Sequence, residues 1–107
     1  MDGTIEKSSI HAVSKLLKAL ANQKRLEILC QLIEGEKNVG ELERKVALSQ
    51  SALSQHLARL RADDIVATRR DAQTIYYSLK CAKTRALIKA TCLLADEAES
   101  HPAGAAP

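Results

Sequence analysis

A mainly α-helical fold with one β-hairpin ahead of its last helix is predicted by three observations. Apolar residues recur at helical spacing in five separate stretches. Aromatic residues amount to only 2% of the chain, so the core has to be built from Leu, Ile, Val and Ala, side chains that suit packed helices. Both prolines lie in the last six residues and only four glycines occur, too few breakers for a turn-rich sandwich or barrel. A length of 107 residues predicts a single domain over 1–107. A core this small gains from a partner subunit.

The elements follow in order. Polar residues 1–8 and the breaker-rich run 99–107 are expected to fray, leaving an ordered core over about 9–98. Ile10, Val13, Leu16, Leu17 and Leu20 predict the inner face of a first helix over about 9–20. Asn22 is a fitting N-cap for a second helix, which turns Leu26, Leu29, Cys30 and Ile33 inward and stops near Gly35. Asn38 with Glu41 has the spacing of a capping box and opens a short third helix through Leu42 and Val46. After a tight break at Leu48-Ser49, Ser49 caps a fourth helix from Gln50 to about Ala62.

Beyond Asp63-Asp64 the period changes. Residues 65–68 and 74–79 are rich in β-branched and aromatic side chains and flank a polar turn over 70–73, which predicts a hairpin. A last helix over about 82–98 offers Leu87, Ile88, Thr91, Leu94 and Ala98 as buried positions. The third and fourth helices have a helix-turn-helix pattern, and few other small domains combine four helices, a hairpin and a helix in that order.

Charge is unevenly distributed. The total is +3, but residues 44–85 hold nine Lys/Arg against three Asp/Glu, a net +6 in the fourth helix, the hairpin and their edges. Acidic side chains are absent between Arg44 and Ala62. A surface that meets phosphates requires that balance. On the fourth helix Leu53, Leu57 and Leu60 form the inner face, leaving Gln50, Ser51, Ser54 and Gln55 to project elsewhere. These short, uncharged side chains carry donors and acceptors of the kind that read base edges in a major groove. Ser49 and the free N–H groups of this helix start are suited to a phosphate. Arg69 and Arg70, near the hairpin tip, can straddle the backbone or enter a minor groove. Arg59 and Gln73 complete the candidate set for double-stranded DNA.

Residues 48–57 (Leu-Ser-Gln-Ser-Ala-Leu-Ser-Gln-His-Leu), 70–77 (Arg-Asp-Ala-Gln-Thr-Ile-Tyr-Tyr) and 21–30 (Ala-Asn-Gln-Lys-Arg-Leu-Glu-Ile-Leu-Cys) together resemble the ArsR/SmtB winged-helix repressors. The likeness spans roughly residues 9–95 and is nearest to the HlyU/BigR/SqrR/NolR branch. The resemblance implies a homodimer through the first and last helices, an operator of inverted repeats, and repression or competition with another regulator. It implies DNA contact by Gln50, Ser51, Ser54, Gln55 and His56, with Arg69 and Arg70 in the wing-side groove.

The resemblance also raises the question of what is sensed. Cys30 matches a position that BigR/HlyU-type relatives use as one half of a thiol switch, in which a disulfide or sulfur-bridged link releases DNA. Their second Cys falls at Asp96 of this chain, and Cys92 lies four residues earlier. That is one helical turn, roughly 6 Å of rise. A direct disulfide needs Cα atoms roughly 4.4–6.8 Å apart, so one turn can make or break the bond, whereas a polysulfide bridge spans more. Cys30 and Cys92 are the candidate thiol sensor, with an oxidant or reactive sulfur species as inducer. The alternatives are a NolR-like DNA binder in which both are core residues, and a metal-responsive repressor. The third helix carries no Cys or His at Val39–Glu43 and the last no His from Ala82 to Ala98, so no metal site or other cofactor is expected. Cys81 opens the last helix beside Lys80, Lys83 and Arg85, a setting that favours thiolate.

Other classes fit poorly. There is no phosphate-binding Gly loop, no Ser-His-Asp spacing and no C-x-x-C, so an enzyme is not expected. No apolar run approaches 18 residues, so no membrane contact is expected. Three cysteines suit a reducing compartment, and the polar start is unlike a signal peptide, which points to a cytoplasmic protein.

Overall fold

The structure, a computed structural model, describes residues 7–100. The expected frayed ends fall largely on residues 1–6 and 101–107, outside the described residues. The helices are α1 (Lys7–Leu20), α2 (Gln23–Ile33), α3 (Val39–Lys45), α4 (Gln50–Ala62) and α5 (Ala82–Ser100). The strands are β1 (Lys37–Asn38), β2 (Val66–Asp71) and β3 (Thr74–Leu79).

Three side-chain caps set the helix starts. Asn22 accepts from the Arg25 N–H at 3.0 Å and Ser49 from the Ala52 N–H at 3.2 Å. Asn38 and Glu41 form the reciprocal capping box that their spacing predicts. Each cap satisfies an N–H that the first helical turn leaves without a partner. α2 stops two residues before Gly35, whose φ of 137° is accessible to glycine and strained for other residues.

The hairpin is tighter than its sequence suggests. Arg70 and Asp71 belong to β2, paired with Ile75 and Thr74, so only Ala72 and Gln73 remain in the turn, with Ala72 at φ 58°. A further strand, β1, joins on the other side of β3 with Lys37 opposite Tyr77 and Asn38 opposite Tyr76, giving the order β1-β3-β2. Two polar residues carry no strand signal of their own. They are held extended between the end of α2 and the cap of α3, where β3 offers open backbone groups.

One core joins the layers. Ile28, Leu29 and Leu32 of α2, Leu42 of α3, Leu53, Leu57 and Leu60 of α4, Ile65 and Val66 at the hairpin, and Ile88 of α5 are all buried. Leu16, Ala19 and Leu20 close it from α1. The prediction for the two end helices needs correction. Ile10, Val13 and Leu17 of α1 remain 50–54% exposed and Leu94 of α5 is 65% exposed. Each of these helices carries apolar residues on two faces, and one face suffices to cover this core. Leu87 and Thr91 are half-buried, and the side chain of Ala98 lies outside the described residues. Among the described residues, no helix is long and apolar enough to cross a membrane.

Candidate nucleic-acid interface and cysteine pair

α3, the tight connection through Leu48 and α4 form the helix-turn-helix. Burial of Leu53, Leu57 and Leu60 fixes the rotation of α4 about its axis. Gln50, Ser51, Ser54, Gln55 and Arg59 are therefore exposed on the opposite side, and His56 is half-buried at the edge of that face. Ser49 is exposed as well, with its hydroxyl engaged as the N-cap. The predicted polar face exists as one continuous helical surface.

The basic residues around it fall into two groups. Three have carboxylate partners: Arg59 with Asp63 at 3.2 Å, Lys80 with Asp64 at 2.9 Å, and Arg69 with Glu36. Among the described residues Arg44, Lys45, Arg61, Arg70, Lys83 and Arg85 have no such partner, and Arg85 donates to the Ile33 carbonyl. Arg69 directs two nitrogens onto the two oxygens of Glu36, with the Nε contact at 3.2 Å, and its guanidinium lies 4.7 Å from the Tyr76 ring centroid. The hydrogen bond from Arg69 holds the Glu36 carboxyl below the usual carboxylate range, and Glu36 in turn raises the Arg69 guanidinium. Among the described residues Arg70 donates only to the Ala72 carbonyl, and Gln73 is exposed at the turn. Glu36 escaped the sequence analysis. It lies 33 residues from Arg69, and no periodicity or motif links the two.

The cysteines meet. Cys30 of α2 and Cys92 of α5 form a disulfide with their Cα atoms 6.0 Å apart, within the normal range. The one-turn offset from Asp96 therefore permits a direct bond. Asp96 lies next to the pair, and both residues line a cavity of about 270 Å³. Gln23, Leu26, Glu27, Gln31, Lys45 and Ala95 line the same cavity. Lys45 belongs to the last turn of α3, so the cavity wall reaches the helix-turn-helix itself. Neither it nor Gln31 carried a sequence signal for this role.

Cys81 is a free, exposed thiol. The contact with the Thr84 hydroxyl at 3.2 Å lowers its pKa first, followed by backbone N–H groups and the Lys83 charge. Among the described residues no group of three His, Cys, Asp or Glu side chains is placed to hold a metal ion.

Comparisons with known proteins match this architecture. Residues 22–68 match the model described as bacterial regulatory protein, arsR family. The transcriptional activator HlyU of Vibrio cholerae is 54% identical over 85 residues, 79% of this chain and 78% of that protein. Its solved structure superposes with a TM-score of 0.77 at 50% identity, covering 84% and 97% of the two chains. The biofilm growth-associated repressor of Xylella fastidiosa is 46% identical over 78 residues, 73% of this chain and 68% of that one. A homodimeric winged helix-turn-helix DNA-binding domain from Mycobacterium bovis, a possible ArsR-family regulator, superposes at TM-score 0.75 and 28% identity over 96% and 97% of the chains.

Proposed function

Because the chain belongs to the bacterial arsR family of regulatory proteins, and is a transcriptional regulator rather than an enzyme, we propose that it is a homodimeric repressor whose grip on operator DNA is released when Cys30 and Cys92 are oxidised. The observation that carries the DNA reading is the exposed face of Gln50, Ser51, Ser54 and Gln55, set opposite a fully buried leucine face. Rotation of α4 is locked by its core contacts, so these side chains are presented in a fixed order, as readout of base edges requires. His56 sits at the margin of this face. Ser49, Arg59, Arg70 and Gln73 flank it and suit the phosphate backbone.

Dimerisation is supported by the apolar residues that the protomer leaves uncovered on its two end helices: Ile10, Val13 and Leu17 on α1, Leu93 and Leu94 on α5. A second copy covering them would bring two α4 helices onto successive major grooves, about 34–36 Å apart. Inverted-repeat half-sites follow from that two-fold arrangement.

The switch is supported by where the bond lies. It ties α2, which packs under the helix-turn-helix, to α5, which carries part of the uncovered apolar surface. Oxidation removes two electrons and two protons from the paired thiols and forms one S–S bond. A hydropolysulfide or organic persulfide accepts the two electrons: its S–S bond breaks and it leaves as sulfide plus thiol, while insertion of one sulfur between the cysteines consumes two sulfane sulfurs, one retained in the bridge and one released as sulfide. Reduction frees α5 to shift against α2, so the two states differ in the spacing of the recognition helices. A coupling of about 1–3 kcal/mol, typical of linked sites, corresponds to a roughly 5- to 150-fold change in affinity.

Fluorescence anisotropy with duplex DNA from the region upstream of its own gene tests both parts. Tight binding by reduced protein, lost on polysulfide treatment and regained with reductant, is the expected result. Cys30→Ser should bind like the reduced protein and ignore the treatment. Binding that is indifferent to treatment would leave a DNA-binding regulator without a cysteine switch.

A further inference from the structure

The two arginines of the wing are adjacent in sequence and opposite in circumstance. Successive side chains on a strand point to opposite faces. Arg69 shares its face with its cross-strand partner Tyr76 and is clasped by Glu36, while Arg70 projects from the other face, held among the described residues only by the Ala72 carbonyl. We infer that Arg69 and Glu36 form a brace that positions the wing against the helix-turn-helix, and that Arg70 alone carries the wing's arginine contact with DNA phosphate. This rests on the DNA-binding reading above and adds to it a positioning pair that includes a residue outside the helix-turn-helix and the hairpin.

The geometry supports a brace in three ways. The guanidinium fork is occupied: two of its nitrogens meet the two Glu36 oxygens, the arrangement that makes Arg–carboxylate pairs directional. The Tyr76 ring 4.7 Å from the guanidinium and the Asp71 carboxylate 4.0 Å from it supply further favourable partners. A phosphate competing for Arg69 would displace one anion with another and leave Glu36 uncompensated beside a polyanion. Finally, Glu36 directly precedes β1. Its neighbours Lys37 and Asn38 pair with β3, and Asn38 caps α3. The ion pair therefore closes a ring from the wing through the loop to the first helix of the helix-turn-helix, and so sets where Arg70 sits relative to α4.

The test measures duplex affinity against salt for the dimer and four variants: Arg69→Gln, Glu36→Gln, their combination, and Arg70→Gln. A brace predicts that Arg69→Gln and Glu36→Gln each weaken binding by ~1.5- to 5-fold, the span an exposed ion pair supports. The combination should be no worse than either alone, and the dependence of log affinity on log salt should be unchanged. Arg70→Gln should lower that slope by about 0.9 for each wing, as loss of a phosphate contact does. The inference is overturned if Arg69→Gln lowers the slope as Arg70→Gln does while Glu36→Gln tightens binding, since Glu36 would then be competing with DNA for Arg69. Failure of the wild-type protein to bind DNA would instead refute the functional reading. The brace itself is still decided without DNA: the Arg69 Nε–H NMR resonance should move as Glu36 is protonated, and that movement should vanish in Glu36→Gln. A resonance that ignores both would refute the ion pair.

Discussion

Reducing the Cys30–Cys92 bond should cost this protein a large part of its stability. The cross-link closes a loop with a sequence separation of 62 residues. In the loop-entropy account, closure of a loop that size restricts the unfolded chain by ~4 kcal/mol at 25 °C. For a domain of this size, a urea dependence of about 1–3 kcal/mol per molar turns that into a midpoint shift of roughly 1.3–4 M. Urea unfolding followed by circular dichroism, on oxidised and reduced samples at one protein concentration, measures the shift. The fixed concentration matters because self-association would make the apparent stability depend on it. Cys30→Ser and Cys92→Ser should each unfold close to the reduced wild type, because both sites are half-buried and Ser removes little volume. Equal midpoints for oxidised and reduced wild type, with a thiol assay confirming that the oxidised sample retains only Cys81, would refute the reasoning. Variants much less stable than the reduced wild type would show that the sulfurs act through packing rather than through the bond.

Three further outcomes follow from local geometry. Gly35→Ala should destabilise the fold by about 1 kcal/mol in the same urea assay. A Cβ there meets nothing within 4 Å, so the cost comes entirely from the φ of 137°. Cys81 should react with a maleimide or disulfide reagent at a rate whose pH midpoint lies below that of a free thiol, and Thr84→Val should move the midpoint upward, because the Thr84 contact is the leading cause of the lowered value. Glu36, whose carboxyl is held low by Arg69, contributes stability that is present above the unfolded carboxylate pKa and lost as pH falls through the folded value. The stability gap between wild type and Glu36→Gln should therefore be open at neutral pH and close in acid, and a gap independent of pH would argue against the ion pair.

Much of the architecture is legible from local signals. Asn22, Asn38 with Glu41, and Ser49 mark helix starts because each cap is a short-range hydrogen bond between residues three apart. The polar face of α4 is legible for a similar reason: three leucines at positions 53, 57 and 60 specify which side of a helix is buried, and so which side is not. Elements made by pairing at a distance were not legible. β1 exists because β3 has an open edge where two polar residues pass by.

Sequence alone determined the order of the five helices and the hairpin, the buried face of α4 and the concentration of positive charge in residues 44–85. All of these depend on composition, or on spacings shorter than two helical turns. Only the tertiary structure decided that a cysteine one turn from the expected position lies within bonding distance, that half of the apolar surface of α1 faces away from its own core, and that one of two adjacent arginines is already occupied by Glu36. Each of these depends on where two helices or a loop and a strand come to rest after packing. A shift of one helical turn or one strand face changes the partner, and chain separations of 62 and 33 residues leave no local trace of it.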